Sequence, residues 1–180
     1  MKKKKPWKRR EWQRRQIKRL TDEIKKCMDA ELWYATLVLT LILPDIFAAL
    51  ESHDGKAHKY LYEKWCEKWL PNEYAPLAQD LYFLRCAIAH QGRFRHEAIV
   101  RRVFVTLGSN DDHMREYKDV FEHKDALTLD LKTFAKNMID AVDAWYLKEA
   151  RNQNVQKHLG SLVQHYPRGS LDFLDRDAIG

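Results

Sequence analysis

From about Lys8 to Ala30, Trp12, Ile17, Leu20, Ile24, Cys27 and Met28 recur near helical spacing among charged positions, which predicts an amphipathic helix. The next stretch, Glu31 to Glu51, is apolar nearly all round, the pattern of a helix covered on most sides by others. Pro44 inside it predicts a kink or a split. Ser52-His53-Asp54-Gly55 is turn chemistry, and Lys56 to Leu70 returns to helical spacing through Tyr60, Leu61, Trp65 and Trp69 until Pro71. At that spacing Trp65 and Trp69 read as core residues.

After a predicted loop, Pro71 to Ala75, Pro76 suits the first turn of a new helix because its missing N–H needs no partner there. Leu77, Leu81, Leu84 and Ile88 line one face of that helix, and Gly92 suits a left-handed cap at its end. Ala98 to Thr106 is rich in β-branched residues and reads as a strand with Leu127 to Leu129 as its partner, a small β-hairpin between two helices. A short helical piece is predicted around Glu116 to Phe121. Asp130 can cap a last long helix carrying Leu131, Phe134, Met138, Val142 and Trp145. Beyond Ala150 one amphipathic turn or two falls near Val155 to Val163, followed by a tail from Pro167 without a structural signal. The fold class is mainly α: a basic arm over 1–20, a helical domain over 21–150 and a C-terminal helix and tail over 151–180.

Charge divides the chain. Residues 1–20 hold eleven Lys or Arg against the single acid Glu11, a net of +10, so the remainder carries −4 of the overall +6. Lys2, Lys3, Lys4, Lys5, Lys8, Arg9, Arg10, Arg14 and Arg15, with Trp7 and Trp12 interleaved, can hold an RNA backbone and stack bases. A solvated extension or an anionic membrane surface is the competing reading. The basic region is too long and the following acids too many for an export signal. Pro44-Asp45 interrupts the apolar run before the roughly 20 residues that a membrane span needs. A core helix of a cytoplasmic protein is therefore expected, with no membrane partner. Cys27, Cys66 and Cys86 form no CxxC pair and read as reduced, buried thiols. His53, His58 and His96 lack ligand partners at metal spacing, and neither a GxGxxG, a Walker loop nor a GxSxG occurs, so no metal or other cofactor is expected.

The chemistry lies in Leu84-Arg85-Cys86-Ala87-Ile88-Ala89-His90-Gln91-Gly92. Arginine supplies a permanent cation and a planar donor fork suited to phosphate, and histidine exchanges a proton near neutral pH. Five helical steps set Arg85 and His90 about 140° apart and about 7.5 Å apart along the axis, yet both side chains can reach one phosphate where the helix ends. Asp45 and Glu51, acids on the apolar helix, are candidates to orient Arg85, with Cys86 and Gln91 as supporting neighbours. The competing reading is that Arg85 pairs with these acids and His90 caps the helix, both for structure alone.

The arginine, four residues and histidine, in a helix that follows other hydrophobic helices, resemble the HEPN superfamily, with the resemblance running from about Ala35 to Trp145. The resemblance implies a HEPN-like helical bundle and a metal-independent RNA endonuclease of phage defence or toxin–antitoxin systems, with Arg85 and His90 as its catalytic pair. It implies a homodimer with both motifs in one cleft and an antitoxin or regulatory partner. Cys86 departs from the polar residue common at that position, and a thiol cannot replace an amide's donors and acceptor. The alternative is a non-catalytic HEPN-like module that binds RNA or protein.

Overall fold

The computed structural model describes residues 6–94, 102–108, 113–118, 125–166, 168–170 and 173–180. Its centre is the apolar helix. A first helix, α1 (Pro6–Asp29), turns at Glu31, whose φ of 55° reverses the chain, into α2 (Trp33–Glu51). Three further helices, α3 (Lys59–Trp69), α4 (Ala78–Gln91) and α5 (Leu131–Glu149), pack against α2 together with α1 and a short α6 (Gln153–His158). Because α2 has hydrophobic groups on every side, only such a ring of neighbours removes them from water.

Leu37, Leu41, Leu43, Phe47, Ala48 and Leu50 of α2 are buried. Phe47 stacks against Trp65 at 6.0 Å between ring centres and tilts against Trp145 at 4.6 Å, joining α2 to α3 and α5. The hydroxyls of Thr36 and Thr40 are buried on the same helix but donate to the Leu32 and Thr36 carbonyls at 3.0 and 2.7 Å, so these two groups keep their partners. Of the kink or split expected at Pro44, the split does not occur, since α2 is one unbroken element. In the turn before Pro44, the buried Tyr62 donates its hydroxyl to the Leu41 carbonyl at 3.0 Å, next to the Thr40 carbonyl whose backbone donor the proline removes.

Leu77, Leu81, Leu84 and Ile88 are buried along α4 as their spacing predicts. The segment before it is not a loop: Asn72–Leu77 forms a 3₁₀ helix that takes in Pro76 and buries Tyr74 completely. Cys66 is buried, but Cys27 and Cys86, also free thiols, are only half-buried.

Three strands follow: β1 (Arg102–Thr106), β2 (Glu116–Lys118) and β3 (Asp125–Asp130), in the spatial order β1-β3-β2. Val103 stands opposite Leu127 and Val105 opposite Leu129, the partners expected, but in parallel register. The antiparallel hairpin is instead β2 with β3, where Tyr117 faces Ala126. The helical piece expected from Glu116 is thus a strand at 116–118, its exposed charged ends compatible with a sheet edge; residues 119–121 lie outside the described residues. Ala98 to Arg101 do also.

Asp130 ends β3 and starts α5. Its carboxylate accepts from the Thr133 N–H at 2.8 Å, the Thr133 hydroxyl at 2.7 Å and the Gly108 N–H at 3.0 Å, so one buried acid caps the helix and fixes the exit of β1. Burial acts to raise its pKa, but these three donors prevail and hold it below the ordinary carboxylate range. Its own N–H donates to His113 Nδ1 at 3.1 Å. That fixes His113 as the neutral Nε2–H tautomer, and Nε2 in turn lies 2.8 Å from the Tyr74 hydroxyl, which Asn137 also reaches at 3.0 Å. Burial lowers the His113 pKa against the opposing charges of Glu73 and Asp130.

Beyond α5, Val155 and Leu159 are buried in the same core, and Gln13 of α1 donates to Gln156 of α6 at 2.7 Å. The tail is structured where none was expected. Strands β4 (His165–Tyr166) and β5 (Ala178–Ile179) pair antiparallel, and Arg168 forks onto Asp175 at 2.8 and 2.7 Å. Strands of two residues are too short to leave a periodic trace in the sequence.

Two outcomes follow for stability. Asp130→Ala removes a cap and leaves the Gly108 N–H without its carboxylate, at a cost of about 2 kcal/mol in urea denaturation. Since His113 is held neutral in the fold and binds its proton more readily when unfolded, stability is full above roughly pH 6.5 and declines as pH falls below it. His113→Gln should flatten that decline in denaturation midpoints measured between about pH 5 and pH 7.5.

Candidate functional site

Asp45 follows Pro44 in a helix whose other charged residue is the terminal Glu51, and α4 runs beside α2. An acid there needs a cation, and α4 supplies one: Arg85 Nε pairs with Asp45 Oδ2. Both atoms are shielded from solvent and have each other as partner. The side chains keep 22% and 15% exposure, so the pair sits at the edge of the core, with the guanidinium rim towards water. Burial pushes the Asp45 carboxyl above its ordinary range, and the Arg85 charge and hydrogen bond pull it back. Burial acts against the Arg85 cation, but Asp45 and Cys86 more than compensate and its pKa is raised. The guanidinium thus keeps its charge, while the Asp45 carboxyl takes up a proton more readily than an ordinary carboxyl does.

Arg85 Nη1 reaches two further groups. It donates to Cys86 Sγ at 3.6 Å and lies 3.3 Å from His90 Nε2. A guanidinium can only donate, so this contact requires a lone pair on Nε2 and hence the neutral imidazole protonated at Nδ1. The large angular separation of the two residues on the helix is closed by the length of the arginine side chain. Below them, Tyr62 and Tyr82 meet edge to face at 5.4 Å, and burial raises the pKa of both phenols.

Gly92 ends α4 in the left-handed conformation, with φ 61° and ψ 26°, as expected of the residue after the motif. The Arg93 N–H then turns back to the Ala87 carbonyl at 3.1 Å. His90, Gln91 and Gly92 are exposed, so the pair opens to solvent at the helix end.

Of the supporting residues expected, Asp45 and Cys86 touch Arg85. Glu51 does not: it accepts from Trp145 Nε1 at 2.6 Å and lies 3.8 Å from Lys68 Nζ. Six residues on a helix place Glu51 about 9 Å along α2 from Asp45 and about 120° around it, too far to share one guanidinium. Gln91 is exposed beside His90. In the basic arm, Arg14 and Arg15 are exposed on α1 and Lys8, Arg9 and Arg10 lie on its first turns; Lys2, Lys3, Lys4 and Lys5 lie outside the described residues, as does His96. Trp65 is buried and Trp69 packs on the core. Among the described residues no group of three His, Cys, Asp or Glu side chains is arranged to hold a metal ion. The helix α2 is long and apolar enough by composition to cross a membrane, but half of that stretch is buried within the fold.

Sequence reasoning passed over Tyr34. It is 57% exposed at the start of α2, and its hydroxyl donates to the Ile88 carbonyl at 3.3 Å, which brings it to the last turns of α4. In the sequence it is one more aromatic in an apolar run. No protein-family model matches the chain, and neither a curated protein nor a solved structure is found similar to it.

Arg85→Ala leaves the Asp45 carboxyl without its cation, so burial drives its pKa still higher. Between the unfolded value near pH 4 and that raised folded value the native state holds the proton more tightly, so the variant loses stability as pH rises through the window. Urea denaturation should show a larger deficit against wild type at about pH 8 than at about pH 5; an equal deficit would mean that Asp45 does not depend on Arg85.

Proposed function

We propose that the chain is a metal-independent RNA endonuclease that works through Arg85 and His90. The observation that carries this reading is the 3.3 Å approach of Arg85 Nη1 to a neutral His90 Nε2 at a solvent-open helix end, with Asp45 holding the arginine from behind. A cation fixed beside a proton acceptor is what transfer within an RNA strand requires. When a bound strand draws Arg85 Nη1 onto its phosphate, His90 Nε2 is freed to take the proton of a ribose 2′-hydroxyl, whose oxygen bonds to the adjacent phosphorus. The P–O5′ bond breaks, the 5′-oxygen leaves with a proton taken from water, and a 2′,3′-cyclic phosphate remains. Arg85 stabilises the charge that builds on the phosphorane oxygens. The nucleophile belongs to the substrate, so DNA is left intact.

The resemblance of the motif to HEPN proteins supports the same reading and extends it to a cytoplasmic role in phage defence or toxin–antitoxin biology, with a second copy of the chain and a regulatory protein as partners. The exposed Arg14 and Arg15 agree with an arm that holds RNA. One observation favours the alternative, a non-catalytic RNA-binding or protein-interaction module: Cys86 places a soft sulfur against Arg85, so the guanidinium is partly satisfied internally.

Incubation of labelled RNA with the protein in EDTA should yield 2′,3′-cyclic phosphate ends. Arg85→Ala and His90→Ala should each slow cleavage by about a hundredfold or more, the scale of a general acid–base contribution. Binding without cleavage by the wild-type protein would sink the nuclease reading and leave the binding module.

A further inference from the structure

Tyr34 is exposed without being loose. Its hydroxyl is tied to the Ile88 carbonyl at 3.3 Å, and a Cβ placed on Gly92 would come 3.9 Å from that hydroxyl oxygen. Between these two contacts in the chain stands His90, about 3 Å along the helix axis from Ile88. The tether therefore fixes the ring over the turn that carries the histidine, with more than half of its surface open at 57% exposure. Arg93 is exposed on the same reversal, and Phe94 beyond it is 45% exposed. Core packing does not require an aromatic residue at such a position. A fixed, open ring at the helix end that carries His90, with the cation Arg93 exposed on the reversal that follows, matches the chemistry that holds a strand by its phosphates and stacks one base.

We propose that Tyr34 is the positioning residue on which a base of an unpaired RNA strand stacks, setting the neighbouring phosphate against Arg85 and His90. The inference rests on the RNA reading above and narrows it. A base in duplex RNA is already stacked within its helix and cannot lie on this ring.

The test uses a single-stranded RNA methylated at every ribose 2′-oxygen, which lacks the nucleophile and cannot be cut. 2-Aminopurine, a base whose fluorescence is quenched on stacking, is moved along the strand, and affinity is read by anisotropy. Tyr34→Phe keeps the ring and loses the tether; Tyr34→Leu keeps apolar volume and loses the ring. Wild type should quench the probe at one position; Tyr34→Phe, which keeps the ring without its tether, should keep that quench and bind about threefold more weakly, whereas Tyr34→Leu should lose the quench and bind about tenfold more weakly. Wild-type quench and affinity in Tyr34→Leu would overturn the assignment, as would equal loss in both variants or equal binding of duplex. Absence of cleavage of the unmethylated strand, with the quench intact, would instead defeat only the nuclease reading.

Discussion

The structure is organised by the need to cover α2. A helix of 19 residues with hydrophobic side chains on every face cannot sit at a surface, and α1, α3, α4, α5 and α6 all pack against it. The aromatic contacts from Phe47 to Trp65 and Trp145 belong to that covering. So do the back-bonded hydroxyls of Thr36 and Thr40, which let polar side chains be buried without loss. Within this helix Asp45 is the one acid before the terminal Glu51, and a carboxylate there is tolerable only with a cation beside it. The position of Arg85 on α4 is thus tied to the way α2 is covered.

The β-sheet solves a different problem with the same economy. Asp130 receives three hydrogen bonds, from the helix it caps and from Gly108 after β1, and passes its own N–H to His113. Through His113, Tyr74 and Asn137 the start of the hairpin is joined to the 3₁₀ helix before α4 and to α5. The motif helix is therefore held along its length by apolar contacts and at its entry by a polar network, while its exit at His90 and Gly92 stays open.

The helices were legible in the sequence because each buries a stripe of side chains at 3.6-residue spacing; Leu77, Leu81, Leu84 and Ile88 are the plain case. Short elements were not. Strand β2 spans three residues and depends on pairing with β3 across an intervening segment, and the β4–β5 ribbon rests on two residues a side, so neither has a local period to read. The pairing of 102–106 with β3 was visible from β-branched content, but its parallel sense was not, since composition carries no direction. At the site, Asp45 could be expected because a lone acid on an apolar face demands a partner. Glu51 raised the same expectation and met it elsewhere, at Trp145, because it faces another side of α2. Tyr34 could not be told from a core aromatic, since what distinguishes it is the end of α4 coming to rest beside it.

An ion pair at the edge of a core adds little to stability. The cost of removing two charges from water roughly cancels their attraction, and an apolar pair of similar volume would often serve α2 as well. Stability alone therefore gives weak reason for Asp45 and Arg85 to be there. The pair does achieve one thing that an apolar substitute would not: it fixes the direction of a guanidinium whose far edge meets His90. Cys86 offers that group a soft acceptor, and the Tyr34 ring is tethered to the Ile88 carbonyl in the last turns of the same helix. The expense of burying a charge is best explained by what the charge points at, a histidine at an open helix end.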